Sequence, residues 1–251
     1  MYILSISLNE IDFRPKRYIV INENNMSQPA IFFLVIFALG LAFVIAWLGW
    51  ATLQTNLTGL FLLLVGIAYL AGVVVVYWFR RERFWGPRAG GRTLKQEDRD
   101  ASFWWIVAGM MAAIFLPPIE YLLLHAVLPR LKWMEIAGLI LIFSGSALFI
   151  WARRTLGKFY SGHVSVVEGQ PLVTSGPYRF IRHPAYAGYL LMAFGVALGY
   201  SSFLGFIVIP LVLLPSVIYR LSVEDKILAE HFVEEYRQYA RETARLLPGI
   251  W

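Results

Sequence analysis

Six long apolar runs constrain the fold of this chain more than any other feature of its sequence. They cover approximately residues 30–51, 57–79, 103–128, 133–152, 184–200 and 203–219. An α-helix needs roughly 20 apolar residues to cross about 30 Å of hydrocarbon, so the runs are of the length that membrane-spanning helices require. The last two runs are shorter and are separated only by Ser201 and Ser202, which predicts a tight helical hairpin.

The composition also indicates an integral, multi-pass membrane protein. Hydrophobic residues make up 59% of the chain and charged residues only 15%. Because backbone polar groups must be satisfied within each segment in lipid, the sequence predicts an all-α fold, a polytopic membrane helix bundle of about six transmembrane helices. The net charge of +6 would suit a nucleic-acid partner, but the charges lie in loops between apolar runs, so we expect none.

Basic residues predict how the bundle is oriented. Six arginines and one lysine lie within residues 80–100, and five more lysines and arginines lie within residues 153–183. The loops near residues 52–56 and 200–202 carry neither, although Arg130 and Lys132 run against the pattern. Since cytosolic loops are enriched in lysine and arginine, we expect both basic loops, and with them both termini, to be cytosolic.

The chain divides into three regions. Residues 1–29 form an N-terminal tail, for which we expect no cleaved signal peptide because a small-residue cleavage site after an apolar stretch is absent. Residues 30–152 hold helices one to four with the cytosolic loop 80–100. Residues 153–251 include the last hairpin and, after residue 219, a charged stretch whose apolar residues recur at helical spacing. That stretch predicts a cytosolic amphipathic helix at the C-terminus.

The chain contains no cysteine, so thiol nucleophiles and zinc–thiolate sites are excluded, and we expect no metal. It also lacks the glycine-rich nucleotide loops and the motifs of zinc proteases and serine hydrolases. Any chemistry must therefore come from histidine, tyrosine, arginine and carboxylates.

The most polar stretch, GPYRFIRHPAYAGYLL at residues 176–191, stands at the start of the fifth run. Pro184 suits a first helical turn, so Tyr178, Arg182 and His183 crowd around a helix N-terminus. Free N–H groups there attract a carboxylate or a phosphate. The same residues also suit a membrane-interface belt of tyrosine and snorkelling arginine. Physical chemistry alone leaves both interpretations open.

Two further candidates stand outside this stretch. Arg220 and Glu224 share one helical face where the last run ends, which is consistent with a site or with an ordinary ion pair. Glu120 follows Pro117 and Pro118, which should break or kink the third run. An ionisable residue within a span is a functional hypothesis, although Glu120 near the outer interface would simply reach water.

The stretch LVTSGPYRFIRHPAYAGYLL, followed about thirty residues later by YRLSVEDKILAEHFVEEYRQYARETARLLP, resembles the isoprenylcysteine carboxyl methyltransferase family of membrane enzymes. The resemblance covers roughly residues 150–250, and its core is G-P-Y-x-x-x-R-H-P-x-Y-x-G. It implies a methyltransferase that binds S-adenosyl-L-methionine at the cytosolic side and takes a lipid substrate from the bilayer. The acceptor it implies is the alpha-carboxylate of an isoprenylated cysteine or a similar apolar acid.

Carried over by position, the resemblance implies a cofactor pocket made of Val166, Gln170, Pro171, Leu172, Val173, Tyr178, His183, Pro184, Ala185, Tyr186 and Glu224. Arg220 matches the arginine that holds the substrate carboxylate, so Arg220 and Glu224 are the expected catalytic residues. The family usually has two adjacent glutamates at the final motif, whereas this chain has Glu224 and Asp225. That departure weakens any argument from the second acid.

Other functions remain open at this point. A phospholipid or another small lipophile would be an amine or thiol acceptor, which must lose a proton and so needs a base such as Glu224 or His183. A carboxylate acceptor needs no base, because it is already nucleophilic at neutral pH. Sterol reductases have a similar C-terminal region but use NADPH. A non-enzymatic lipid-binding membrane protein would bind no cofactor.

Overall fold

The computed structural model describes residues 28–75, 93–96, 102–124, 129–160, 165–167 and 169–247. Nearly all of the predicted N-terminal tail, residues 1–27, lies outside this part of the chain. Of the predicted loop 80–100, only residues 93–96 are described.

The described residues form a helical bundle whose elements follow the apolar runs. Five of its helices are α1 (Gln28–Leu53), α2 (Thr58–Val75), α3 (Ser102–Leu124), α4 (Lys132–Leu156) and α5 (Pro184–Gly199), and a sixth, longer helix follows them. Within the described residues, three stretches are long and apolar enough to cross a membrane: Trp104–Leu124, Lys132–Phe159 and Phe203–Glu242. The shorter apolar helices are Phe37–Leu53, Thr58–Gly72 and Pro184–Gly199. The predicted all-helical bundle is confirmed, with three helices that meet both criteria for a span.

One small β-ribbon accompanies the helices, and sequence patterning did not predict it. Strand β1 (Thr93–Gln96) pairs antiparallel with β2 (Ser165–Val167). Thr93 is opposite Val167, and Gln96 is opposite Ser165. The ribbon therefore joins the two basic loops at one end of the bundle.

Helices α4 and α5 pack with their backbones in close approach. A Cβ atom built on Gly145 would lie 2.6 Å from the carbonyl oxygen of Gly188, and one on Gly138 would lie 2.6 Å from that of Gly195. Such contact leaves no room for a side chain, and small residues at a shared face are the usual means by which helices associate in lipid. The pairing fixes the position of α5, whose first residues belong to the polar motif at residues 176–191.

The last helical segment extends from Phe203 to Glu242 and is kinked at Val233. It consists of α6 (Phe203–Val208), a π-helical turn (Ile209–Leu213) and α7 (Leu214–Glu242), with non-helical angles at Val233. The amphipathic helix predicted after residue 219 is thus the second half of the helix that begins as the sixth apolar run. A single element therefore carries side chains from the apolar bundle to its polar end.

Glu120 has a structural role at the opposite end of the bundle. It is only 2% exposed, so it does not reach water. Its carboxylate accepts hydrogen bonds from the Ser202 hydroxyl (2.5 Å) and from the backbone N–H groups of Phe203 and Leu204 (both 3.0 Å). These N–H groups begin α6, so Glu120 caps that helix from a neighbouring one. Helix α3 continues through Pro117 and Pro118 rather than ending there.

Candidate functional site

His183 stands at the N-cap of α5 and is 3% exposed. Its Nε2 lies 2.7 Å from Oδ1 of Asp225, which projects from α7, 42 residues along the chain. This contact brings the start of α5 against the polar half of the last helix. At 2.7 Å the two atoms are within hydrogen-bonding distance, and a charge on either partner would strengthen the bond.

Asp225 accepts from two more donors besides its contact with His183. The Tyr236 hydroxyl donates to Oδ1, and Arg245 Nε lies 2.8 Å from Oδ2. Burial by itself would raise the pKa of Asp225, but the hydrogen bonds from His183 and Tyr236 and the charge of Arg245 outweigh it and lower that pKa below its ordinary value. Asp225 is therefore ionised at neutral pH and acts only as an acceptor.

The residues after α7 fold back onto the polar stretch that precedes α5. Ile181 pairs with Ala244 in an isolated parallel bridge. The backbone N–H of Arg182 donates to the carbonyl of Ala244 (2.8 Å), and that of His183 donates to the carbonyl of Arg245 (3.1 Å). The Arg182 guanidinium donates to two backbone carbonyls near the end of α7, those of Ala240 (2.5 Å) and Thr243 (2.9 Å). We call residues 243–247 the C-terminal strap.

Arg220 and Glu224 lie on the face of α7 that is turned toward the start of α5. Arg220 is 4% exposed, and its Nε donates to the hydroxyl of Tyr186 across 3.4 Å. The same hydroxyl faces Glu224, and His183 Nδ1 lies 3.9 Å from Oε2 of Glu224. The Glu224 side chain is 30% exposed, so it is more accessible to solvent than the His183 side chain, which is 2% exposed. A buried arginine in such contacts is unlike an ordinary surface ion pair.

Tyrosines close the site on the polar side. Tyr178 is buried in the 3-10 turn Gly176–Arg179, and its carbonyl accepts from the Tyr239 hydroxyl at 2.7 Å. Burial, with the charge of Glu224 nearby, raises the pKa of Tyr178 above its ordinary value. Burial likewise raises the pKa of Tyr236, and that of Tyr239 to about 12. These phenols stay protonated at neutral pH and offer hydrogen-bond donors and ring faces rather than a base.

The structure brings four of the predicted site residues into one cluster: Tyr186, His183, Arg220 and Glu224. Pro184 and Ala185 belong to the same first turn of α5. Val166 is buried in β2 and packs against Ile227 and Val223 of α7. Gln170, Pro171, Leu172 and Val173 lie in the non-helical segment between β2 and the 3-10 turn, where Leu172 and Val173 are half-buried and Pro171 is exposed. Their contact with a cofactor stays a prediction.

Three residues of the cluster were not predicted from the sequence: Asp225, Tyr236 and Arg245. Asp225 adjoins Glu224 in the chain, and its proximity to His183 depends on how α5 and α7 cross. Tyr236 fits the helical spacing of the stretch after residue 219, and that spacing does not indicate its contact with Asp225. Arg245 lies in the C-terminal strap, where no periodic pattern points to a role.

Comparison with known proteins finds a family match over the part of the chain that contains most of this site. Residues 133–235 match the phospholipid methyltransferase family. The Arabidopsis thaliana protein-S-isoprenylcysteine O-methyltransferase A is 29% identical over 143 residues, which cover 55% of this chain and 73% of that protein. A probable protein-S-isoprenylcysteine O-methyltransferase of Oryza sativa subsp. indica is 28% identical over 137 residues, 53% of this chain and 72% of that protein. The uncharacterized Bacillus subtilis protein YpbQ is 31% identical over 125 residues, 50% of this chain and 73% of YpbQ.

Proposed function

Since this chain belongs to the family of membrane methyltransferases that comprises phospholipid methyltransferases and protein-S-isoprenylcysteine O-methyltransferases, we propose that it transfers a methyl group from S-adenosyl-L-methionine to a lipophilic acid. The acceptor is the alpha-carboxylate of an isoprenylated cysteine or of a similar apolar molecule that enters from the bilayer. The observation that carries this proposal is the buried guanidinium of Arg220, held against Tyr186 on a helix that continues an apolar span.

The residues at the start of α5 fit the cofactor. The His183 side chain makes no capping hydrogen bond to the first turn of α5, so that turn's N–H groups suit the cofactor's amino-acid carboxylate. The partly exposed Glu224 carboxylate and the rings of Tyr178 and Tyr186 suit a cation. When bound, S-adenosyl-L-methionine would supply a methyl group from its sulfonium, and the cofactor would then leave as a neutral thioether.

The acceptor carboxylate is already ionised at neutral pH, so the reaction needs placement more than proton transfer. A carbon–oxygen bond forms to the acceptor as the carbon–sulfur bond breaks, and no proton moves. Arg220 would hold the carboxylate by paired hydrogen bonds, which fix its direction of attack. Arg220 is buried and Tyr186 is partly buried, so little water would solvate the nucleophile there. Positioning of this kind accounts for a large share of catalysis in such displacements.

The catalytic region is residues 153–251, and its segments 153–183 and 220–251 face the cytosol together with residues 80–100. Pairing of β1 with β2 supports a common side for the two basic loops, and the contacts between residues 181–183 and the C-terminal strap support it for the C-terminus. Arginine and lysine enrichment in these segments favours the cytosolic side. A cytosolic site gives access to a water-soluble cofactor. Six membrane spans, with both termini in the cytosol, complete this topology.

A second candidate acceptor is a phospholipid amine, and the family match at residues 133–235 favours it. An amine must lose a proton during the reaction, so this function needs a base beside the acceptor. Our candidates for that base are Glu224 and His183, whose Nδ1 lies 3.9 Å from the Glu224 carboxylate. The two functions differ in what Arg220 does, because Arg220 would hold the nucleophile itself in a carboxylate acceptor but only the phosphate in a phospholipid amine.

Cofactor binding by the purified protein, measured by titration calorimetry, tests the proposed function. We expect the parent to bind S-adenosyl-L-methionine, and His183→Ala and Tyr178→Ala to bind it more weakly while still inserting and folding. His231→Ala is the matched control, because His231 is exposed and stacks only edge-on with Phe232 among its described ring contacts. If both site variants bind like the parent, the pocket is placed wrongly. If the parent shows no affinity, the chain is not a methyltransferase.

A further inference from the structure

One carboxylate ties together the segments that shape this site. Asp225 on α7 contacts His183 at the start of α5, Tyr236 beyond the break in α7 at Val233, and Arg245 in the C-terminal strap. Its two oxygens are both occupied, because His183 and Tyr236 share Oδ1 and Arg245 takes Oδ2. A carboxylate held at both oxygens has little freedom to rotate. Asp225 therefore has a fixed orientation relative to the His183 ring.

The two nitrogens of His183 face two different carboxylates. Nε2 lies 2.7 Å from Asp225, whose side chain is 13% exposed, whereas Nδ1 lies 3.9 Å from the more accessible Glu224. The first distance is a hydrogen bond and the second is too long for one. An ionised carboxylate has no proton to give, so Nε2 is the donor of this bond. In a neutral imidazole the other nitrogen, Nδ1, is then a bare acceptor.

We infer that Asp225 is a positioning residue that holds His183 in the Nε2–H tautomer and turns the Nδ1 lone pair into the cofactor pocket. There Nδ1 accepts a hydrogen bond from an N–H or O–H group of the bound cofactor. The identity of that ligand rests on the proposed function. The tautomer does not, because it follows from the contacts of the protein alone.

Backbone contacts hold the ring in the same place. The His183 N–H donates to the carbonyl of Arg245, so the residue that binds Asp225 through its side chain also binds His183 through its main chain. The strap thus fixes both partners of the His183–Asp225 contact.

Nitrogen NMR of the protein labelled with ¹⁵N-histidine measures the tautomer directly, without cofactor or turnover. The chain has four histidines, and His183→Gln assigns the signal by its loss. Once the ring is neutral, which a pH series of the sample establishes, we expect a protonated Nε2 and a bare Nδ1. A protonated Nδ1 with a bare Nε2 would overturn the inference, whatever the protein proves to bind.

Variants then separate positioning from simple cross-linking. Asp225→Asn no longer compels Nε2 to be the donor, so we expect a mixture of tautomers and about tenfold weaker cofactor binding, as for the loss of one hydrogen bond. Asp225→Glu keeps the acceptor and should restore most of the affinity. Glu234→Gln is the control, because Glu234 is exposed and pairs with Arg237.

Thermal unfolding of each variant distinguishes the remaining outcomes. If Asp225→Asn only lowers the unfolding temperature, while tautomer and affinity per folded molecule stay as in the parent, Asp225 is a structural cross-link and the inference is wrong. If the parent binds no S-adenosyl-L-methionine yet shows the Nε2–H tautomer, the proposed function fails while the arrangement of His183 and Asp225 stands. Tyr236→Phe removes one of three contacts to Asp225 and should give a smaller effect in the same direction.

Discussion

Arg220 donates a hydrogen bond from its Nε to the hydroxyl of Tyr186 across 3.4 Å, at a position where the arginine is almost entirely buried. The contact anchors a guanidinium from α7 against the first turn of α5. A buried and anchored guanidinium has a defined plane, whereas a lysine ammonium offers a single flexible charge. The relationship between these two side chains is therefore the basis for predicting which substitution the site tolerates.

Arg220→Lys should lose most turnover and keep near-normal cofactor affinity. A lysine preserves the charge but not the planar two-point contact, and a misplacement of about 1 Å costs on the order of a hundredfold in rate. Initial rates with a carboxylate acceptor at saturating cofactor measure this, and Arg237→Lys, in an exposed pair with Glu234, is the control. Full activity of Arg220→Lys would reject the clamp and favour an acceptor without a carboxylate.

Glu224→Gln should weaken cofactor binding as well as turnover. The substitution keeps the shape of the side chain but removes the negative charge that faces His183 Nδ1 and the Tyr186 hydroxyl. Loss of one partly exposed charge from beside a sulfonium should cost about tenfold in affinity. Titration calorimetry measures it against Glu234→Gln, and equal affinities in the two variants would remove Glu224 from the cofactor pocket.

Glu120→Ala should destabilise the bundle without changing cofactor affinity per folded molecule. It leaves the Ser202 hydroxyl and the N–H groups of Phe203 and Leu204 without their carboxylate, at a cost of about 2–4 kcal/mol. Thermal unfolding in detergent, compared with Glu234→Ala, tests the expectation. An unchanged unfolding temperature would mean that water replaces the carboxylate at this end of the bundle.

Gly145→Ala should also destabilise the protein, because its methyl group would lie 2.6 Å from the carbonyl oxygen of Gly188. Separating α4 from α5 to make room costs about 1–3 kcal/mol, as overpacking does elsewhere. Gly40→Ala is the matched control, since a Cβ atom at Gly40 meets nothing within 4 Å. We expect Gly40→Ala to be neutral or slightly stabilising. Equal unfolding temperatures would show that α4 and α5 are not held at this spacing.

The sequence predicts the helices well because each depends mainly on its own residues. Their positions follow from the apolar runs, because a segment in lipid must satisfy its own backbone hydrogen bonds and must be long enough to cross the hydrocarbon. The continuity of α6 with α7 was harder to predict from the sequence. Charge begins after residue 219 and indicates a new environment, but backbone hydrogen bonding continues through the change from apolar to polar surroundings.

The site was predictable only where order and spacing carry the information. The motif at residues 176–191 and the later Arg220 and Glu224 were identified because their order and spacing resemble those of a known family. Glu120 was not assigned a role, since its partners lie 82 to 84 residues away and its function depends on where α6 begins. The contact of Asp225 with His183 depends in the same way on how α5 and α7 cross. Tertiary contacts of this kind leave no periodic trace in a single sequence.

Transfer of a labelled methyl group from S-adenosyl-L-methionine into a panel of membrane lipids and prenylated cysteines tests the central claim most directly. The predicted product is a methyl ester on an apolar carboxylic acid, which releases labelled methanol when treated with base, and Arg220→Lys should make little of it. Label in a base-stable N-methyl lipid would contradict the carboxylate acceptor. No transfer to any member of the panel by protein that binds the cofactor would contradict the assignment of a lipophilic acceptor altogether.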